Sequence, residues 1–219
     1  MPKLGMEPIR RAALVEATIL EIGRAGTLDV TVSQIARRAG MSSALAHHYF
    51  GSKEQIFTAA MRHILTQYGA EIRAALAAAQ GPRGRLDAII EASFAPRQFS
   101  PETVSAWLNF YVQAQKSEDA RRLLNIYHRR LRSNLHHAIR PLAGGEARML
   151  TRGLAAMIDG LYLRQALRSE PGGQGGNEAL TTSHALEVMR HYVTHILPPG
   201  RCEAGSTPPR HHDPIEPNE

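Results

Sequence analysis

Apolar residues recur along this chain at intervals of three and four, and no stretch alternates with period two, so the pattern predicts helices and no strands. Val15, Ile19 and Ile22 share one face of a helix with Pro8 in its first turn, running to about Ala25 and stopping at Gly26. Two short helices follow. Thr31 and Gln34 form a capping box for the first, which turns Ile35, Ala36 and Ala39 inward and Arg37 and Arg38 outward until Gly40 ends it. Met41 and Ser42 lead into the second, 43–50. It offers small or polar Ser43, Ala44, Ala46, His47 and His48 outward, with Leu45 and Phe50 expected to anchor its inner side. Ser52 and Gln55 form another capping box and open a long helix from Lys53 to about Gln80, interrupted only by Gly69 and ended by the run Gly81-Pro82-Arg83-Gly84. Two short helices meeting at a steep angle are the geometry that places one helix in a DNA groove.

Four more helical stretches are expected at about 85–94, 101–116, 118–140 and 146–168, divided by Pro96, Ser100-Pro101, Pro141 and Gly144-Gly145. The run 171–176 reads as a loop, and Asn177 opens a last helix reaching about Leu197. The remainder, 199–219, is too poor in apolar residues to fold and is expected to be disordered. The expected architecture is therefore all-α: a three-helix head over 1–52, a larger helical domain over 53–198 and a tail over 199–219. Met149, Ala156, Leu161 and Leu167, together with Leu186, Met189, Val193 and Ile196, exceed what a monomer needs to cover. Two copies would bury them in a four-helix bundle; internal packing is the alternative.

A formal net charge of +6 suits a polyanionic partner without identifying one. No Asp or Glu stands from Val30 to Lys53, while Arg37, Arg38 and Lys53 are basic, and the amino-terminal amides of the helix at Lys53 offer an anion site. One cysteine, Cys202, excludes an intrachain disulfide and a cysteine zinc site, which fits a reducing compartment. The amino terminus lacks the apolar core of a secretory signal and no apolar run approaches the roughly 20 residues that cross a bilayer, so a cytoplasmic protein is expected. His184, His191, His195 and Glu187 lie near one face of the last helix and would permit a metal-dependent enzyme. No His-Glu-x-x-His run, phosphate loop or Gly-x-Ser-x-Gly elbow accompanies them, so no catalytic residue, metal or cofactor is expected. Arg121, Arg122, Arg129, Arg130 and Arg132 read better as a solvated helix face than as a second polyanion site.

The basic first helix, the run TVSQIARRAGMSSALAHHYFGSKEQIF and the larger helical remainder resemble the TetR family of one-component transcriptional regulators. Within that family MPKLGMEPIRR, QIARRAG with HHYF, WLNFY, RRLRSNL and GLAAMIDGLYLR are similar to the choline-responsive repressors of glycine betaine synthesis, over about 1–198. The resemblance implies a homodimeric repressor that contacts operator DNA through Ser42, Ser43, Ala44, His47, His48, Tyr49 and Lys53, with Thr31 and Arg38 at the backbone. His47 stands where many relatives carry tyrosine, and Tyr49 is open to two roles, a ring packed under the helix or a hydroxyl on phosphate.

Trp107, Phe110 and Tyr111, at i, i+3 and i+4, gather rings on one side of a helix in a chain with one Trp, six Tyr and five Phe. Such a stripe alone reads as core. Asp159 changes that, because it is the sole acid between Leu154 and Leu163, one turn before Tyr162, and a buried carboxylate needs compensation. Arg152, Arg164 or an organic cation could supply it. Aromatic faces beside a carboxylate suit a quaternary ammonium, and choline is one. Tyr127 and Phe94 are weaker candidates for the remaining walls, and a neutral apolar compound or a polyamine is the alternative ligand. Cation binding is expected to displace the helix beginning at Lys53 and change the spacing of two reading helices, which must match major grooves about 34 to 36 Å apart.

Overall fold

The computed structural model describes residues 5–167 and 182–197. The expected loop at 171–176, the helix start at Asn177 and the tail at 199–219 lie outside the described residues, as does Cys202. Among the described residues the elements are α1 (Met6–Ala25), α2 (Val32–Arg38), α3 (Ser43–Phe50), α4 (Lys53–Ala78), α5 (Gly81–Ser93), α6 (Pro101–Lys116), α7 (Glu118–Ala143), α8 (Ala147–Ala166) and α9 (Thr182–Ile196). Short 3-10 turns at Pro96–Phe99 and Gly144–Glu146 join α5 to α6 and α7 to α8. No helix among them is long and apolar enough to cross a membrane.

The head closes as its caps dictate. Thr31 Oγ1 accepts the Gln34 amide and Gln34 Oε1 returns to the Thr31 amide, completing the box at α2. Gly40 at φ 68° lets the Met41 amide reach Ala36 O and its own amide reach Arg37 O, which terminates α2 and swings the chain toward α3. Leu14, Ile22, Val30, Ile35, Ala46 and Ile56 form the buried centre beneath the two helices.

Two boundaries at prolines differ from expectation. Pro82 sits in the first turn of α5, and the helix starts at Gly81 rather than after the Gly-Pro run, because the first amides of a helix need no intrahelical partner. Pro141 lies inside the last turn of α7 and does not end it, since the helix continues to Ala143.

The long α7 packs against α5, α6 and α8, while α6 also lies along α1, so α6 belongs to both the head and the larger domain. On the expected self-association face the picture changes. Met189 and Val193 are fully buried in the protomer's own core and Leu161, Leu186 and Ile196 are half-buried, whereas Met149 and Leu167 are each 64% exposed and Ala156, Leu163 and Tyr192 also face outward. The outward apolar stripe therefore runs along α8, with less from α9 than its periodicity suggested.

Candidate DNA-reading head and ligand cavity

At the head, Ser42 caps α3 by accepting the Leu45 amide, and Ser43 Oγ lies 3.0 Å from Ser33 Oγ on α2. Ala44, His47 and His48 are exposed along the outer side of α3, together with Ser42 and Thr31. Ala46 is a correction: it is fully buried on the inner side of α3, where Leu45 is only half-buried. Tyr49 and Phe50 are half-buried against the core. Arg11 of α1 donates to the Tyr49 carbonyl and lays its guanidinium 4.8 Å from the Phe50 ring centroid, fixing the end of α3.

Arg38 is less available to phosphate than its outward position implied, since Glu21 of α1 holds it in an ion pair. His47 Nδ1 lies 2.9 Å from Gly51 O, which leaves Nε2 facing outward. The anion site at the start of α4 is also narrower than expected. Ser52 Oγ occupies the Gln55 amide, and backbone hydrogen bonding holds the Glu54 carboxyl below its usual range, so Lys53 supplies the positive charge there.

In the larger domain, Trp107 and Tyr111 from α6, Tyr127 from α7 and Asp159 and Tyr162 from α8 converge on a narrow cavity of about 20 Å³, room for about one water molecule. The Trp107 and Tyr127 rings meet edge to face at 4.9 Å, with Tyr111 at 5.7 Å and Tyr162 at 6.4 Å from Trp107. Phe110 and Phe94, expected among the walls, are fully buried and stand behind this lining. Phe110 packs on the far edge of Trp107, and Phe94 stacks behind Phe99, which itself touches Tyr162. Arg152 and Arg164 make no ion pair with Asp159. Its carboxylate accepts from the Tyr127 hydroxyl at 2.9 Å and faces His128 Nε2 at 3.6 Å.

Burial raises the Asp159 carboxyl above its ordinary value, against the opposing pull of the Tyr127 hydrogen bond and His128. Burial also pushes Tyr68 up to about 12 and raises Tyr111, Tyr127 and Tyr162, so every phenol of the cavity is neutral at pH 7. Asp159 is thus the one acidic side chain of the lining among neutral rings. Periodicity missed Tyr68, Ser93, Gln98 and Ile158 of the lining. Tyr68 had a signal, because it continues the buried stripe Phe57, Met61 and Ile64 toward Ile72. Gln98 had none, since the 3-10 turn that presents it is set by tertiary packing; its carbonyl accepts the Tyr162 hydroxyl at 3.0 Å.

The cavity and the head share an element. Opposite its ring face, α6 lies so close to α1 that a Cβ on Gly23 would stand 2.6 Å from Glu102 Cα, and Asn109 Nδ2 donates to Gly26 O at 3.2 Å.

Residues 14–60 match the family described as bacterial regulatory proteins, tetR family, and residues 82–198 match the BetI-type transcriptional repressor, C-terminal. The chain belongs to the TetR family, in its BetI-type branch. It is 50% identical to the HTH-type transcriptional regulator BetI of Brucella anthropi over 88% of this chain and 96% of that protein. To BetI of Rhizobium meliloti it is 55% identical, over 87% and 94% respectively. Its fold is similar to a transcriptional regulator from Pseudomonas aeruginosa, with TM-score 0.74 and 26% identity over 89% of this chain and 92% of that one. It is also similar to a regulator from Saccharomonospora viridis solved in complex with choline, with TM-score 0.72 and 24% identity over 84% and 95%. This BetI-type protein is a DNA-binding transcriptional repressor and not an enzyme, which overturns the metal-enzyme alternative. Among the described residues no three His, Cys, Asp or Glu side chains are placed to hold a metal, and His191 and His195 stack on each other at 4.2 Å.

Proposed function

We propose that this repressor binds, as a cytoplasmic homodimer, the operator of genes converting choline to glycine betaine, and that choline or a related quaternary ammonium relieves repression. The observation that carries the effector assignment is a single carboxylate, Asp159, set against Trp107, Tyr111 and Tyr127. A quaternary ammonium donates no hydrogen bond, so ring faces and one fixed charge are the groups that recognise it. The choline complex of the Saccharomonospora viridis protein, similar in fold, supports the same ligand.

The outward stripe of α8, with Met149, Ala156 and Leu167, supplies the dimer face, and the exposed positions of α3 with Lys53 supply the DNA contacts. Release follows two paths. Tyr68 connects the cavity to α4, whose first residue is Lys53, and Trp107 connects it to α6, which lies on α1. A coupling of about 1 to 3 kcal/mol would change operator affinity about 5- to 150-fold.

Calorimetry tests the ligand. Choline and betaine aldehyde are expected to bind saturably, with 3,3-dimethylbutanol, the neutral isostere of choline, at least tenfold weaker. Equal affinity for choline and the isostere, or an Asp159→Asn variant that binds choline as well as the parent does, overturns the assignment.

A further inference from the structure

A second concavity of about 480 Å³, open to solvent, lies between α4 and α7, on the other side of Tyr68 and Tyr127. Its floor is aliphatic: Leu65 and Ile72 from α4, Leu123 and Leu131 from α7. Its rim carries three arginines, Arg62 and Arg73 three helical turns apart on α4 and Arg130 on α7, with Asn134 beside them and no acidic residue in the lining. None of these arginines makes an ion pair among the described residues, although Arg38, Arg83, Arg97 and Arg190 each have one.

Gly69 opens the middle of the wall. It lies within α4 at an ordinary helical angle, so no backbone strain requires glycine, and a Cβ there would meet only Arg73 Nη1, at 3.4 Å. A solvated basic face needs neither an aliphatic floor nor a missing side chain in a helix. An apolar trough rimmed by unpaired guanidinium groups fits a molecule that is aliphatic along its length and anionic at one end. A guanidinium takes a carboxylate through two parallel N–H donors, while the absence of any acid in the lining disfavours a cation.

We infer that the groove between α4 and α7 is a second ligand site, for an aliphatic carboxylate whose chain lies on Leu65, Ile72, Leu123 and Leu131 and whose carboxylate is held by Arg73 and Arg130. Its chemistry is the reverse of the aromatic cavity, which presents a carboxylate to a cation. The two sites share Tyr68 and Tyr127 as a common wall, so a chain seated in the groove presses on the ring that touches Trp107.

The test is calorimetry of the full chain with decanoate and with decanol, both below any micelle concentration, alongside the fluorescence of Trp107, the only tryptophan. Decanoate is expected to bind saturably and at least tenfold more tightly than decanol, with a change in tryptophan emission. An Arg73→Gln/Arg130→Gln double variant is expected to lose at least tenfold in decanoate affinity, and Gly69→Leu to abolish binding while choline still binds, which also shows that the variants fold. The inference fails on no saturable binding, on equal affinity for decanol, or on an unchanged affinity in the double variant. Loss of decanoate binding in Trp107→Ala together with one-for-one displacement by choline would place the molecule in the aromatic cavity and likewise overturn it.

Discussion

Trp107 and Tyr127 touch edge to face, 4.9 Å between centroids and 61° between planes, across the junction of α6 and α7. A cation engages a ring from within about 6 Å of its centroid, over the face. Rings already in contact leave no such berth between them, so a quaternary ammonium seated between the two rings beside Asp159 must part α6 from α7. Choline is therefore expected to shift the tryptophan emission as it saturates. Trp107→Ala should weaken choline by about 1 to 2 kcal/mol, roughly fivefold to thirtyfold, as measured by calorimetry.

Acid should weaken the effector. Burial raises the Asp159 carboxyl in the folded, empty protein, so the folded state holds that proton more tightly than the unfolded chain does. Stability of the empty repressor accordingly falls as pH rises from the ordinary aspartate value through the raised one, and a bound cation offsets that loss. Choline affinity is expected to drop as pH falls through the raised value, with binding in that range releasing a proton, detectable by calorimetry in buffers of different ionisation enthalpy. The His128 ring stands 3.6 Å from the carboxylate. His128→Gln should retain the Asp159 component and Asp159→Asn should remove it.

Gly23 is a packing requirement between the two domains. Alanine there would gain about 1 kcal/mol of helix propensity, but its Cβ would stand 2.6 Å from a backbone atom of α6. Overpacking of that kind costs about 1 to 3 kcal/mol. Gly23→Ala should lower the melting temperature and weaken the response of DNA binding to choline, although residue 23 touches neither site.

The head makes separable predictions. Ser42→Ala removes the acceptor of the Leu45 amide and should cost about 1 kcal/mol in thermal unfolding. Lys53→Gln should reduce the slope of log affinity against log salt by about one per protomer. Arg38→Gln should change that slope less, because Glu21 already neutralises its guanidinium. Fluorescence anisotropy on an operator duplex across a salt series measures both slopes.

Local rules made the head legible: the capping boxes at Thr31 and Ser52 and the stop at Gly40 each follow from residues within five positions. The cavity was legible where a residue type was out of place, as with Asp159 in an apolar run. What escaped depended on partners distant in sequence. His128 faces Asp159 from another helix, Glu21 holds Arg38 across the head, and Phe110 shares a helix side with Trp107 yet points one layer deeper. Helical spacing gives the side a residue occupies, and only the packing of neighbouring helices decides whether that side meets a cavity or solid core.

The central claim is that a cation held by Asp159 loosens the repressor from its operator. The most direct measurement is a mobility shift on DNA from upstream of the repressor's own gene, titrated with choline and with betaine aldehyde, for the parent and for Asp159→Asn. The account predicts that the retarded band fades with choline for the parent and persists for the variant. A band that choline leaves unchanged in the parent, or that fades equally in both proteins, would contradict it.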